Sequence, residues 1–189
     1  MKKVFFIVTL VSAAFFVQAQ TSFGVKAGAN FTTLTGGDIE GAKMKVGFNA
    51  GALANISASE NIKIQPEAIF SLDGAKEDGS DFTINEGYVR IPVMIQYVTS
   101  SGFFAEVGPQ LGILVSAKAK SGGSSVDFKD YFKSTDVGAA FGIGYKLESG
   151  IGFNARYNLG LAKIADDGSD VKNSGFAVGL FYMFGGEKK

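Results

Sequence analysis

The chain has 189 residues, with 18 basic and 18 acidic side chains and neither histidine nor cysteine. The missing residue types exclude Ser-His-Asp and Cys-His nucleophile systems, the common zinc sites and any disulfide framework. The balanced charge gives no electrostatic case for binding nucleic acid, and the length suits one domain.

The N-terminal segment MKKVFFIVTLVSAAFFVQAQ has the composition of a secretory signal peptide. Lys2 and Lys3 precede an apolar run that ends at Val17, and Ala19 supplies the small residue before a cleavage point. We therefore predict a signal peptide over residues 1–19 and a mature domain over residues 20–189. The alternative is an N-terminal membrane anchor, for which the apolar run is short.

Alternation of apolar residues with glycine or polar residues dominates the rest of the chain. This period of two is typical of β-strands, and no later apolar stretch approaches the roughly 20 residues of a transmembrane helix. The alternating runs cover residues 23–31, 45–55, 62–72, 89–97, 103–113, 137–145, 151–161 and 176–184.

The connections between these runs alternate between short turns and long polar loops rich in Gly, Asp and Ser. Short turns on one rim and long loops on the other are typical of outer-membrane barrels. The short connections are residues 55–61, 98–102 and 147–150, and the long ones are 32–43, 73–87, 116–135 and 163–174.

The polar face of the strands is rich in glycine, which suits the crowded lumen of a small closed barrel better than a water-facing sheet. We therefore predict an all-β, eight-stranded, antiparallel, up-and-down transmembrane barrel with strands of about ten residues and its apolar face toward lipid. The alternatives are a soluble sandwich and a soluble ligand-holding barrel. The predicted interfacial aromatic girdle consists of Tyr97, Phe103, Tyr145, Phe153, Tyr182 and Phe184.

Several charged residues fall on the polar face of the runs. Buried charges are costly unless they are paired, so we predict one ion-paired plug in the lumen, with Arg90 reaching Glu106 on the neighbouring strand. The alternative is a proton or ion path through the same groups. The predicted interior charge cluster is Lys26, Glu67, Arg90, Glu106 and Arg156, with Gln110 as a further candidate.

The three prolines, Pro66, Pro92 and Pro109, all fall inside predicted strands. Each removes a hydrogen-bond donor from the ladder, and a closed barrel has no edge that could accommodate the loss. We therefore predict bulges or locally weak pairing at these positions, with Pro92 and Pro109 close to opposite each other.

The stretch VRIPVMIQY, followed by GFFAEVGPQLGILVSAK, resembles the outer-membrane β-barrel domain of the PorT-like, "porin family" proteins of Bacteroidetes. Members typically show an Ile-Pro-aliphatic strand, a short turn, and an aromatic-rich strand ending in E-x-G-P-x-x-G. The resemblance covers essentially the whole mature chain and implies an outer-membrane barrel, but it supplies no substrate. The matching residues are Ile91, Pro92, Glu106, Gly108, Pro109 and Gly112.

The last strand, GFAVGLFYMF, resembles the β-signal that the barrel-assembly machinery reads. Gly179, Tyr182 and the aromatic Phe184 match that signal. The tail GGEKK continues beyond the usual terminal aromatic residue, which is a departure from the pattern.

These features predict a cell outer-membrane protein with a structural or surface-interaction role and no catalysis, cofactor or metal. Eight strands leave a lumen just wide enough for side chains. The expected partners are outer-membrane lipid, the barrel-assembly machinery and a surface ligand or secretion partner, and no nucleic acid. The alternative function is a narrow pore, or a transport or secretion accessory component, gated by the interior charge cluster.

The acidic segment ADDGSD, residues 165–170, is a possible calcium site, but it lacks the full spacing of calcium ligands.

Overall fold

The computed structural model describes residues 21–37, 42–77, 79 and 81–184. The predicted signal peptide over residues 1–19 lies outside these residues. No helix in the described ranges is long and apolar enough to cross a membrane. The strands are β1 Thr21–Thr35, β2 Ala42–Ser57, β3 Ile62–Glu77, β4 Thr83–Val98, β5 Phe103–Ser121, β6 Ser124–Asp127, β7 Thr135–Lys146, β8 Ile151–Gly160 and β9 Lys172–Met183.

Eight of these strands form a closed antiparallel barrel, which confirms the predicted fold. Each barrel strand pairs with the next one along the chain, β5 pairs with β7, and β9 pairs with β1 to close the ring. The short β6 lies outside this ring as a hairpin extension of β5. Closure gives every strand in the ring a hydrogen-bonded neighbour on both sides, so the ring has no open edge, as a bilayer requires.

The first five strands are longer than the sequence suggested. They contain 15 to 19 residues. Strand β3 runs to Glu77 and β5 to Ser121, into segments for which the sequence predicts long loops. The outward apolar alternation stops at Leu72 on β3 and at Val115 on β5, but backbone pairing continues beyond both residues. The apolar pattern therefore marks the membrane belt rather than the strand ends.

The apolar face of the barrel points outward, and the polar face lines the lumen. On β5 the outward side chains from Phe103 to Val115 are apolar and exposed, while Glu106 and Gln110 are buried. Large exposed apolar surfaces of this kind are covered by lipid in a membrane barrel. This orientation is the opposite of that expected for the soluble sandwich and the soluble ligand-holding barrel.

The predicted aromatic girdle lies at the short-turn end. The strand register places Phe103, Tyr145 and Phe153 side by side on β5, β7 and β8. The ring centroids of Tyr145 and Phe153 are 5.9 Å apart, and those of Tyr182 and Phe184 are 5.5 Å apart. Amphipathic aromatic rings are enriched at membrane interfaces, which marks this rim as one edge of the belt.

Proline weakens strand pairing without producing bulges. The β3–β4 ladder is interrupted just beyond Pro66, and the β4–β5 ladder just below Pro92, with the same register on both sides of each gap. The prediction of bulges or locally weak pairing at the prolines is therefore confirmed, and the form observed is weak pairing. A missing donor removes a hydrogen bond without requiring an extra residue. The register shifts lie instead near Met44 on β2 and opposite Gly87 on β5.

Candidate functional site

The lumen holds two groups of buried charged side chains at different heights. We call the group nearer the short turns the turn-side cluster and the group nearer the long loops the loop-side cluster. The turn-side cluster contains Lys26, Glu67, Glu106 and Arg156, and the loop-side cluster contains Asp73, Glu86, Arg90 and Asp136.

Arg156 is the centre of the turn-side cluster. Its Nη1 and Nη2 donate to the two carboxylate oxygens of Glu67 at 3.0 and 2.9 Å. Its Nε and Nη2 donate to Oε1 of Glu106 at 3.0 and 2.8 Å. Lys26 Nζ donates to Oε2 of Glu67 at 3.2 Å. Two cations therefore meet two carboxylates, and the forked guanidinium matches both of them.

Amide side chains complete the hydrogen bonding of this cluster. Gln65 Nε2 donates to Glu67 at 2.7 Å, and Gln96 Nε2 donates to Glu106 at 3.0 Å. Asn55 Nδ2 in turn donates to the side-chain oxygens of both glutamines, each at 2.9 Å. Every carboxylate oxygen in the turn-side cluster thus accepts a hydrogen bond, which offsets the cost of burying these charges.

A glycine allows Glu106 and Arg156 to meet across an intervening strand. Glu106 on β5 pairs with Gly142 on β7, and Gly142 pairs with Arg156 on β8. A Cβ atom at position 142 would lie 2.7 Å from Oε1 of Glu106 and 2.9 Å from the carbonyl oxygen of Ala155. The space that an ordinary side chain would fill is the space in which the ion pair forms.

The loop-side cluster is organised around Arg90. Its Nε and Nη2 donate to Oδ2 of Asp73 at 2.9 and 2.6 Å, and its Nη1 donates to Oδ2 of Asp136 at 3.0 Å. Gly112 lies between Arg90 and Asp136 in the register, as Gly142 does in the other cluster. The guanidinium also lies 4.5 Å from the ring centroid of Tyr88, a cation–π contact.

Neutral side chains support the two aspartates. Asn30 Nδ2 and Ser71 Oγ donate to Oδ1 of Asp73 at 3.0 and 2.7 Å. Asn173 Nδ2 donates to Oδ2 of Asp136 at 3.3 Å. These contacts fix the carboxylates that hold Arg90, so its side chain is constrained from several strands.

Glu86 distinguishes the loop-side cluster from the turn-side cluster. It is fully buried and pairs in the β3–β4 register with Asp73. Within the described residues, neither Glu86 oxygen nor Oδ1 of Asp136 has a hydrogen-bond partner. Lys45 Nζ donates to the backbone carbonyl of Asp73 at 3.1 Å. Three carboxylates thus face two cations in this part of the lumen.

The predicted contact between Arg90 and Glu106 is wrong. Glu106 pairs in the register with Gln96, which is six positions from Arg90 and therefore about 20 Å away along the strand. The other predicted members, Lys26, Glu67, Glu106 and Arg156, do meet in one cluster.

The true partners of Arg90 are Asp73 and Asp136, which sequence reasoning missed. The sequence pattern places Asp73 in a long loop, because the apolar alternation ends at Leu72. The signal that could have found it is parity, since Asp73 lies two residues beyond the inward-facing Ser71. Asp136 is likewise one residue before the outward-facing Val137.

Small cavities separate and flank the clusters. One has a volume of about 30 Å³ and lies between them, lined by Lys26, Arg90, Gln110 and Arg156 among others. Gln110, the further candidate for the predicted charge cluster, thus lies at the wall of this cavity. A second, of about 20 Å³, lies near the short turns beside Phe104. Each is large enough for about one or two water molecules.

The loop-side mouth of the barrel is covered by an apolar cap. The connection between β8 and β9 packs Ile164 and Val171 against Leu34 of β1 and Ala75 of β3. Ile164 is fully buried, and its carbonyl accepts a hydrogen bond from the backbone N–H of Lys133 at 2.7 Å. This connection is therefore an ordered cover over the lumen.

Hydrogen bonds also order the exposed acids of this connection. Lys172 Nζ lies 3.3 Å from Asp170, and the backbone N–H of Gly37 also donates to that carboxylate, so the pKa of Asp170 is lowered. The backbone N–H of Ser169 donates to Asp167 and lowers the pKa of that side chain. No group of three or more acidic residues in the described ranges is arranged to hold a metal ion.

The residues of the predicted assembly signal lie on the closing strand, β9. Gly179 pairs with Gly28 on β1 and with Asn154 on β8. Tyr182 and Phe184 point outward and are exposed at the short-turn rim. Their recognition by an assembly machinery stays a prediction.

Comparison with known proteins identifies the same architecture. Residues 18–166 match the family model described as "Outer membrane protein beta-barrel domain". Neisserial surface protein A is similar, with 16% identity, a TM-score of 0.59, and coverage of 87% of this chain and 99% of that one. The attachment invasion locus protein Ail of Yersinia pestis has the same identity and coverage and a TM-score of 0.51. No curated protein matches the sequence.

Proposed function

Because the chain belongs to the outer membrane protein beta-barrel domain family, we propose that it is a sealed outer-membrane scaffold that presents its long loops to a surface ligand or partner protein. The observation that carries this proposal is the occupied lumen. A filled lumen argues against transport of ions or solutes, and exposed aromatic residues on the loops argue for binding of a partner.

The lumen is blocked at successive heights by different physical means. At the short-turn end Phe104 and Phe181 bring their ring centroids within 6.1 Å. Above them Arg156 links carboxylates from two other strands, and Arg90 does the same nearer the loops. The apolar cap around Ile164 lies over these layers. An ion would have to break salt bridges and an apolar seal to pass.

The loops offer a contact surface on the segment that follows β5. Val126 and Tyr131 are 63% and 64% exposed. The ring of Tyr131 stacks on Phe128 with centroids 4.3 Å apart, and Phe128 also contacts the ring of Phe132. A preorganised exposed aromatic group is typical of recognition surfaces, since ordering it costs little upon binding.

The proposal includes how the protein reaches its site. A leader over residues 1–19 would direct export, and Gly179, Tyr182 and Phe184 would be read by the barrel-assembly machinery.

The absence of histidine and cysteine supports a non-catalytic role without a cofactor. The resemblance to PorT-like proteins suggests that the partner protein is a component of a secretion apparatus. Cross-linking from Tyr131 in native membranes, followed by identification of the captured chain, would test this suggestion.

Conductance across a planar bilayer tests the sealed lumen directly. Wild type and Arg90→Ala should both be silent, because removing Arg90 leaves the turn-side cluster and the apolar cap in place. A large open porin, reconstituted in the same way, serves as the positive control.

The competing function is a narrow pore gated by the interior charges. It predicts steady conductance in the wild type, or its appearance when Arg90 is removed. Either result would contradict the sealed scaffold. Heat-modifiable migration of both proteins would show that silence does not come from misfolding.

A further inference from the structure

A group of lysines lies on the outer face of the barrel, just on the loop side of the apolar belt. We call it the lysine band, and it consists of Lys43 on β2, Lys76 on β3, and Lys118 and Lys120 on β5. All four side chains are exposed.

A register shift on β5 directs two of these lysines outward. Tyr88 pairs with Leu114, but the preceding Gly87 pairs with Ser116, so β5 carries one extra residue. Below the shift the inward positions are even-numbered, and above it they are Ala117 and Ala119. Lys118 and Lys120 therefore face outward. Without the extra residue they would point into the lumen, because a slip of one residue reverses the faces of a strand.

The strand register aligns the band across neighbouring strands. Lys43 pairs with Lys76, Lys76 pairs with Thr83 on β4, and Thr83 pairs with Lys120. Adjacent strands lie about 4.8 Å apart, so Lys76 and Lys120 start about 10 Å from each other. Cross-strand like charges repel one another, which favours an anion placed between them.

The height of the band matches the lipid headgroups. On β5 the outward apolar run extends from Phe103 to Val115, which is about 30 Å along the barrel axis at a tilt of about 40°. That is the thickness of a bilayer hydrocarbon core, about 30 Å. Lys118 begins three positions beyond Val115, where phosphate groups of the outer leaflet would lie.

We propose that the lysine band binds the phosphate-bearing headgroups of outer-leaflet lipid. The site goes beyond the proposed scaffold function, because it faces the membrane rather than the loops' partner. Charge complementarity and continuity with the apolar belt select this occupant, since a lipid can fill both surfaces at once with its acyl chains and its headgroup.

Among the described residues, two acidic side chains lie close to the band. Asp127 on β6 pairs with Lys118 in the register, and its Oδ1 accepts the backbone N–H of Lys129 at 2.9 Å. Glu77 follows Lys76 in sequence at the end of β3. Lys76 and Lys120 are the members that the register separates by an uncharged threonine, so we expect them to contribute most.

The test is titration of delipidated protein in neutral detergent with short-chain phosphatidic acid, followed by native mass spectrometry. Wild type should bind phosphatidic acid more tightly than phosphatidylcholine of the same chain length. Each lysine near an anionic lipid surface contributes about fivefold, so the combined K76Q, K118Q and K120Q variant should bind about a hundredfold more weakly. Binding should also weaken as salt increases.

The matched control removes three loop lysines outside the band, as K129Q, K133Q and K163Q. It has the same net charge as the band variant and should bind phosphatidic acid like the wild type. Equal losses in both variants, or equal binding of the two lipids by the wild type, would overturn the site. Inorganic phosphate that competes as strongly as the lipid would show that the membrane position is not recognised. Heat-modifiable migration confirms that each variant is folded.

Discussion

The two charge clusters in the lumen are built from the same residue types but are balanced differently. In the turn-side cluster, two cations meet two carboxylates, and all four carboxylate oxygens accept hydrogen bonds. In the loop-side cluster, three carboxylates surround Arg90, with Lys45 bound nearby to a backbone carbonyl, and neither oxygen of Glu86 has a partner within the described part of the chain. The turn-side cluster fills the lumen with fully hydrogen-bonded ion pairs. The loop-side cluster leaves a carboxyl group without a hydrogen-bond partner near the loop end of the lumen.

On the proposed sealed-scaffold function, charge in the lumen need not indicate a transport path. A conducting path needs polar groups that exchange partners with water, but Arg156 is held by several hydrogen bonds from opposite sides. The unbalanced acid of the loop-side cluster lies under an apolar cap. The proposal therefore uses charge balance and coverage, rather than the presence of charge, to distinguish a plug from a pore.

The largest expected effect is the removal of Arg156. Arg156→Met would leave Glu67 and Glu106 buried with only Lys26 as a cation, so the unfolding free energy should fall by about 3 to 5 kcal/mol. Equilibrium unfolding in detergent would measure this loss. Lys163→Met, on an exposed loop, is the matched control and should change stability by less than about 0.5 kcal/mol. Similar losses in both variants would show that the turn-side cluster contributes nothing specific.

The second effect concerns the glycine that allows that pair to form. Gly142→Ala would place a Cβ against Glu106 and against a backbone carbonyl, and such overpacking costs about 1 to 3 kcal/mol. The same change in a Glu106→Ala background should cost less, because one of the two close contacts is gone. An equal loss of stability in both backgrounds would mean that the new Cβ clashes only with the backbone carbonyl of Ala155 on β8 and does not disturb the ion pair.

The fold could be predicted from the sequence because a membrane barrel shows both of its faces in the pattern. Lipid requires apolar residues at every second position of a strand. Each membrane strand, each short turn and the aromatic rim could therefore be predicted from the local sequence alone. Above the belt no such requirement acts, and β3 and β5 continue through residues such as Asp73 and Lys118 without an apolar signal.

The candidate site was only partly predictable for a related reason. Lys26, Glu67, Glu106 and Arg156 lie within the apolar runs, so parity alone assigned them to the lumen. The partner of Arg90 depends on relative height around a tilted barrel, and register shifts such as the one opposite Gly87 alter that height. Neither quantity is encoded in one strand's own alternation.

A smaller effect of opposite sign is expected at Glu86. Glu86→Gln removes a carboxylate that lies beside Asp73 without a compensating hydrogen bond, so stability should stay the same or rise by up to about 1 kcal/mol. Glu67→Gln is the control, and there the loss of a partner for Lys26 and Arg156 should reduce stability. If the two variants were equally destabilised in the same unfolding assay, the contrast between the clusters would be wrong.

The smallest expected effect tests whether the clusters are independent. Arg90 binds Asp73 and Asp136, while Glu106 binds Arg156 and Gln96, so the two groups share no partner. A double-mutant cycle with Arg90→Met and Glu106→Gln should therefore be additive within about 0.3 to 0.5 kcal/mol. The parallel cycle with Arg90→Met and Asp136→Asn should show a clear coupling energy, because that pair is in direct contact at 3.0 Å. Coupling of similar size in both cycles would mean that the lumen charges act as one network, through the groups around the cavity that Lys26, Arg90 and Arg156 line.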